Sequence, residues 1–347
     1  MEKSEDLEDH VARLQAAGLI DMHFDLPLAL FLKRPPHGSL AADFLPQFQA
    51  GGLGLLGVAL YVEDKDLPRS LEVALEQVAL LYEELAANPG VTLCRNFAEI
   101  AQTQRDRRIG MLLTMEGVEP LGEDLHLLRI FHALGLRALS LTHARPNAAA
   151  AGGIFAASGS LATGLTSFGR ELVQECERLG ILLDLAHINP AGFEEICGLT
   201  SKPLIVSHSN PRRFYDIERN LSDAQIKIIG ARGGVIGINA IFVSPRKERA
   251  TLDHYVDHIA HVIELIGIDG VGIGFDFCEA PFTLMPPAEK EALEARLARV
   301  HFLPDLRNHS HARNLTRKLI ERGFRDDEIE KILRGNWLRV LRQVLNN

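Results

Sequence analysis

Six short segments of this sequence end an apolar run with a residue able to bind metal or move a proton. They are His23-Phe24-Asp25 after LIDM, Glu116 in MLLTMEG, His143 in SLTH, His187 in DLAH, His208 in VSH and Asp276 in GIGFD. On an extended segment, residues two apart point the same way, so His23 and Asp25 can offer an imidazole and a carboxylate to one ion. Two more of the strand-end histidines, with a carboxylate between them, would complete a mixed nitrogen and oxygen environment suited to zinc. So many ligands could hold two metals about 3.5–4 Å apart, bridged by a carboxylate and a water. Such a pair lowers the pKa of that water from about 15.7 to roughly 7 and supplies hydroxide at neutral pH.

Those residues need elements to bring them together. Strands are predicted near Leu19–His23, Gly54–Tyr61, Gly110–Met115, Arg137–Leu141, Ile181–Leu185, Leu204–Ser207, Gly234–Asn239 and Gly270–Phe275. Amphipathic stretches between or after them include Ser70–Leu85, Leu125–Leu134, Phe168–Leu179, Ser222–Ile229 and Asp253–Ile266. Strands alternating with helices make a parallel α/β fold. Eight such units suit a closed (β/α)8 TIM barrel, whose strand ends share one face, although an open doubly wound sheet satisfies the same count. Val91–Cys94 is either an extra strand or part of a crossover. The connections Pro146–Ser167, Phe242–Thr251 and Phe277–His311 exceed what a compact turn needs and are expected to form lids or contacts. Residues 1–347 are expected to form one barrel domain, with an N-terminal helix over 1–17 and C-terminal helices over 313–347 packed on it.

Taken singly, each polar residue has an ordinary structural use. A strand-end His is commonly just hydrogen-bonded, and Glu116 could sit at a helix N-terminus. It is the joint placement at matching strand ends that points to a site. Arg219, in ERNLSD, could clamp a substrate carboxylate or pair on the surface with Asp216 or Asp223. His254, His258 and His261 recur at helical spacing and are expected on a solvated face. His309 and His311 could reach the mouth. The Gly51-Gly52-Leu53-Gly54 and Gly152-Gly153 segments lack the context of a phosphate loop.

The 347 residues carry a net charge of -9 without a basic stripe, which argues against nucleic acid and against polybasic membrane anchoring. The acidic, amphipathic start MEKSEDLEDHVARLQAAGL does not read as a signal peptide, and no apolar run approaches the ~20 residues of a membrane span. The four cysteines, Cys94, Cys176, Cys197 and Cys278, form no CxxC pair. A cytoplasmic location with reduced thiols is the expectation.

The blocks DMHFDLP, MEGVEPL, LGLRALSLTH, GLTSFGRELV, ILLDLAH, PLIVSHSN, ERNLSD, VGIGFDF and GNWLRVL together resemble the membrane (renal) dipeptidase family of zinc peptidases, within the amidohydrolase superfamily, from about Asp21 to Leu341. The resemblance implies two Zn2+ per subunit, the first on His23 and Asp25, the second on His187 and His208, with Glu116 bridging. It further implies that His143 polarises the scissile carbonyl and that Arg219 holds the substrate carboxylate. Asp276 would orient the bridging water and pass its proton to the leaving amine. The implied substrate is a small dipeptide, in some members with a C-terminal D-residue, and a homodimer is an implied possibility. The sequence departs from the family at Met22 and Phe24, at Cys278 and Glu279, and at Ala144-Arg145-Pro146-Asn147, where Arg145 could add a positive contact or narrow the pocket. These departures keep open a different amide, such as an N-acyl amino acid or a biosynthetic intermediate. A barrel that binds without catalysis is the third reading.

Overall fold

The computed structural model describes residues 6–33, 38–153, 163–279, 282, 287–296 and 298–346. Its strands in chain order are β1 Leu19–Phe24, β2 Leu53–Leu60, β3 Val91–Leu93, β4 Ile109–Glu116, β5 Leu136–Ser140, β6 Leu182–Asp184, β7 Ile205–Ser209, β8 Val235–Ile238 and β9 Val271–Ile273. All pair in parallel, in the order β2-β1-β9-β8-β7-β6-β5-β4-β3, and β2 pairs in addition with β4. That pairing runs from Leu55↔Gly110 to Leu60↔Met115 and closes the barrel, which excludes an open sheet. The run at Val91 is an extra strand outside the closure. It pairs with Ile109–Met111 of β4, and β5 takes over the same edge from Leu113 to Glu116.

The barrel strands are covered on both faces, so β2 reads as a continuous apolar run and β4 as one broken only at Thr114 and Glu116, both buried along their whole length. The helices begin where a short polar side chain can satisfy a free backbone N–H. Asn96, Asp124, Thr166, Asn189, Ser222 and Thr251 each accept such a bond, starting Phe97–Arg105, Leu125–Ala133, Ser167–Leu179, Pro190–Leu199, Asp223–Ala231 and Leu252–Ile266. Cys176 and Cys197 are buried on two of these helices, as small core side chains.

The floor of the barrel is apolar. Ile20, Met22, Leu55, Leu112, Ala138, Leu182, Ile205 and Val235 cluster with Trp337, Val340 and Leu341 of the helix Asn336–Val344. Trp337 donates its indole N–H to the Ile273 carbonyl at 3.0 Å, and a side chain at Gly272 would collide with its ring. The helix Leu7–Gln15 packs on Ala312–Glu321, tied by Gln15 Nε2 to Thr316 Oγ1 at 2.7 Å. Among the described residues, no helix is long and apolar enough to cross a membrane. Parts of the long connections Pro146–Ser167 and Phe277–His311 lie outside the described residues.

The expected solvated face at His254, His258 and His261 is corrected. Their exposures are 8%, 0% and 7%, and all three rings pack against Phe214. His258 Nε2 donates to the Val243 carbonyl at 2.9 Å, and His261 Nε2 lies 2.9 Å from Asp223 Oδ1. Helical spacing shows that three residues share a face, not that the face meets water; an imidazole with a partner for its polar tip buries readily.

Candidate metal centre

The C-terminal ends of the strands deliver the polar residues to one mouth. His23 lies in β1 and Glu116 is the last residue of β4, both nearly inaccessible. Asp25 falls beyond β1, at the boundary of the helix Leu26–Leu32, so a turn rather than the strand's two-residue period presents it beside His23. His143 follows β5, His208 lies in β7, and Arg219 stands in the loop after β7. His187 and Asp276 follow β6 and β9 with φ of 64° and 56°. The left-handed backbone is costly for a residue with a Cβ and is held where the surroundings impose it, commonly at functional sites.

The ligand atoms converge. His23 Nε2 lies 3.7 Å from Asp25 Oδ1, 3.7 Å from Glu116 Oε1 and 3.9 Å from Asp276 Oδ1. The same Glu116 oxygen is 2.9 Å from His187 Nε2 and 3.3 Å from His208 Nε2. His23-Asp25-Glu116, His23-His208-Asp276 and Glu116-His143-His187 each place three potential ligand atoms within 4.8 Å of one another. His23 stacks on His208 with ring centroids 3.6 Å apart. His143 leans on His187 at 4.4 Å and on Tyr61 at 4.6 Å.

Burial dominates the electrostatics. It lowers His23 to about 3 and holds His143, His187 and His208 well below the usual histidine range, with the Arg219 charge adding to each. It raises Asp25 to about 8, helped by Asp276, and Asp276 itself to about 7. Glu116 is pushed well up by burial and by both aspartates. Asp25 keeps 31% of its side chain open at the mouth, but its Oδ1 is buried. Neutral imidazoles facing carboxylates that resist ionisation form a cage short of positive charge. In that cage the buried His23 Nε2 and Asp25 Oδ1 lack hydrogen-bond partners. Buried polar atoms are rarely left so, and this donor set fits divalent zinc.

Arg219 is 6% exposed; one terminal nitrogen donates to the His208 carbonyl at 2.7 Å, while Nη1 is buried without a partner. A surface pair with Asp216 or Asp223 is therefore excluded. Arg145 does not offer a free charge to the pocket. It donates to Glu119 at 2.9 Å, to Asp64 at 2.7 Å and to the Val62 carbonyl at 2.6 Å, and it lies 5.5 Å from the centre of the Tyr61 ring that backs His143. Phe24 packs edge-on against Phe44, Phe48 and His309. Cys278 sits close enough to Asp276 and Asp25 for their charges to raise its thiol further above a value already lifted by burial. Glu279 pairs with Arg307.

Asn239 and Ser207 also belong to the centre, though their residue types did not single them out, and His309 takes a place other than the expected one. Asn239 donates to Asp276 Oδ2 at 3.0 Å and fixes the carboxylate. Ser207 Oγ is 2.7 Å from His208 Nδ1, leaving Nε2 for the cage. His309 is buried beneath the site and donates from Nε2 to Asp21 Oδ2 at 2.8 Å, so it does not reach the mouth. The sequence signal for Asn239 was its place at the end of the seventh predicted strand.

A closed parallel barrel thus gathers candidate metal ligands at its C-terminal mouth, the face on which barrel active sites are built. The chain belongs to the membrane dipeptidase family, peptidase family M19, whose model matches residues 8–347. It is 28% identical to dipeptidase 3 of Rattus norvegicus over 354 residues, 97% of this chain and 67% of that protein. It is 29% identical over 248 residues to a dipeptidase of Claviceps purpurea, across 71% of this chain and 53% of the relative. The chain thus spans about half the length of the Claviceps relative and 44% of a dipeptidase described as uncharacterized from Schizosaccharomyces pombe. A crystal structure of a metallopeptidase dipeptidase of family M19 superposes with a TM-score of 0.82 at 28% identity, over 95% of this chain and 99% of that one. A metallopeptidase from Rhodobacter sphaeroides, solved with a phosphinate mimic of the dipeptide L-Ala-D-Ala, gives 0.81 at 27% identity, over 94% and 99%.

Proposed function

We propose that this chain is a binuclear zinc dipeptidase that cleaves the amide bond of short dipeptides, including those with a C-terminal D-residue. The observation that carries this reading is the convergence of His23, Asp25, Glu116, His187 and His208 on one buried cage with unpartnered ligand atoms. His23 and Asp25 would hold one ion, His187 and His208 the other, and Glu116 would face both. When bound, such a pair supplies an activated water at neutral pH and polarises the substrate carbonyl.

The chain's own residues do the rest. Arg219 Nη1, buried and unpaired, takes the substrate carboxylate and fixes the direction of the dipeptide. His143, braced between Tyr61 and His187, stabilises the charge that develops on the carbonyl oxygen. Asp276, steadied by Asn239, accepts the water's proton and delivers it to the leaving amine. The Rhodobacter neighbour's phosphinate ligand supports a dipeptide as the substrate class.

Purified protein should contain two zinc ions per chain and release free amino acids from a panel that includes L-Ala-D-Ala and L-Ala-L-Ala. Chelation should stop turnover and zinc should restore it. Protein that holds two ions yet cleaves no dipeptide, or prefers N-acyl amino acids to every dipeptide, overturns the substrate assignment.

A further inference from the structure

The parallel ladder around the barrel is thinnest at two seams. β1 meets β9 only at Asp21↔Ile273, and β6 meets β7 only at Asp184↔Ile205, whereas every other pairing of the described strands holds three or more partners. At both seams a buried aspartate side chain replaces the missing backbone acceptors. Asp21 Oδ1 accepts from the Phe275 N–H beyond β9 at 2.9 Å and from the His23 N–H on its own strand at 3.2 Å. Asp184 Oδ1 repeats the pattern, with the Ser207 N–H of β7 at 2.8 Å and the Ala186 N–H on its own side at 3.0 Å.

Each clamped amide belongs to a residue of the metal centre or to its immediate neighbour in the chain. His23 carries one of the clamped amides itself, Asp276 adjoins Phe275, His187 adjoins Ala186, and His208 adjoins Ser207. Each carboxylate also has a second anchor. Asp21 Oδ2 accepts from His309, whose ring is enclosed edge-on by Phe24, Phe48 and Phe277. Asp184 is bonded to the Ser207 hydroxyl, which in turn meets His208 Nδ1 at 2.7 Å. Outer partners of this kind fix ligand orientation, and their loss commonly weakens metal binding about 10–100-fold.

We propose that Asp21 and Asp184 are positioning residues that each govern one half of the metal centre: Asp21 sets His23 against Asp276, and Asp184 sets His187 against His208. The inference rests on the two-metal reading and adds to it a division of labour. The division also accounts for Phe24, whose ring closes the His309 enclosure on the Asp21 side.

Zinc titration of the metal-stripped full-length chain against a chromophoric chelator tests it. Wild type should bind two ions; a wild type that binds none refutes the metal reading itself. Asp184→Ala and Ser207→Ala should each weaken one site about 10–100-fold and leave the other within twofold. Asp21→Ala and His309→Leu should weaken the opposite site. In a His208→Ala background, Asp184→Ala should add little while Asp21→Ala keeps its full effect, and a His23→Ala background should reverse the two. Ser207→Thr should recover most of what Ser207→Ala loses. Should the aspartate-to-alanine chains fail to fold, Ser207→Ala and His309→Leu, checked by circular dichroism, carry the same comparison. Two sites in wild type with equal losses at both sites, or no loss in any folded variant, overturn the inference.

Discussion

His187 and His208 bring their Nε2 atoms to 3.0 Å of each other, and both face the same oxygen of Glu116. Two imidazolium ions cannot share that space, and burial holds both rings neutral. Glu116 is the carboxylate that both imidazoles face, and in the proposed two-metal site it would serve both ions. Glu116→Gln keeps the shape and removes the charge; its zinc content should fall from two ions per chain toward one, and turnover should fall with it. Metal analysis beside a dipeptide assay checks this.

Asp276→Asn should separate binding from chemistry. The amide cannot accept and return a proton, so kcat should fall about 10²–10⁴-fold, the usual contribution of a positioned acid or base. Zinc content should stay near that of wild type, because His23 and His208 retain their other partners.

Arg219→Lys exchanges a planar fork for a point charge. Loss of a charge-assisted bond of about 1.5–3 kcal/mol corresponds to a 10–150-fold lower kcat/KM on free dipeptides. Dipeptide amides, which lack the carboxylate, should discriminate much less between variant and wild type. Equal losses on both substrates would remove Arg219 from carboxylate recognition.

The metal-free chain should be most stable near pH 6.5. Asp276 and Asp25 titrate near 7 and 8 in the folded chain, against ordinary carboxylate values near 4 in the unfolded one. The native state thus holds protons that the unfolded state has released, and their contribution is lost as pH rises toward the folded values. His23, His143, His187 and His208 act oppositely: they stay neutral when folded and charge when unfolded below about 6.5, so they cost stability on the acid side. Melting curves with chelator should drop by a few degrees from pH 6.5 to 8, and saturating zinc should abolish that drop.

Arg145→Met should unfold more easily. The guanidinium and the Glu119 carboxylate are only 10% and 11% exposed, and removing one partner of a buried pair costs about 3–5 kcal/mol. Urea unfolding should show most of that loss, and adding Glu119→Gln should recover part of it. The same variant frees Tyr61 from its cation, so kcat should fall through His143 even where folding is complete.

Much of this molecule was legible in its sequence because the barrel strands are buried on both faces and stand out as apolar runs. Glu116, His208 and Asp276 could be placed for the same reason: the chain turns polar where the barrel opens. The helices at Phe97–Arg105 and Pro190–Leu199 are less visible, the first mostly polar and the second opening on a proline. The direction of a face was not legible either. His254, His258 and His261 have a helix's spacing, but only the arrival of Phe214 from another loop shows that they are buried. Asp184 was hidden by its neighbour, since in DLAH the histidine draws the eye and the aspartate's partner lies 23 residues further on. Arg145 reads as a free charge until Glu119, Asp64 and Val62 are brought to it from two other loops.

The left-handed turns at His187 and Asp276 set stability against chemistry. At either position a glycine would relax the backbone and erase the group the turn exists to present. Selection for heat resistance alone would drift toward that exchange, so a laboratory lineage screened only for folding should shed its function at these two positions early.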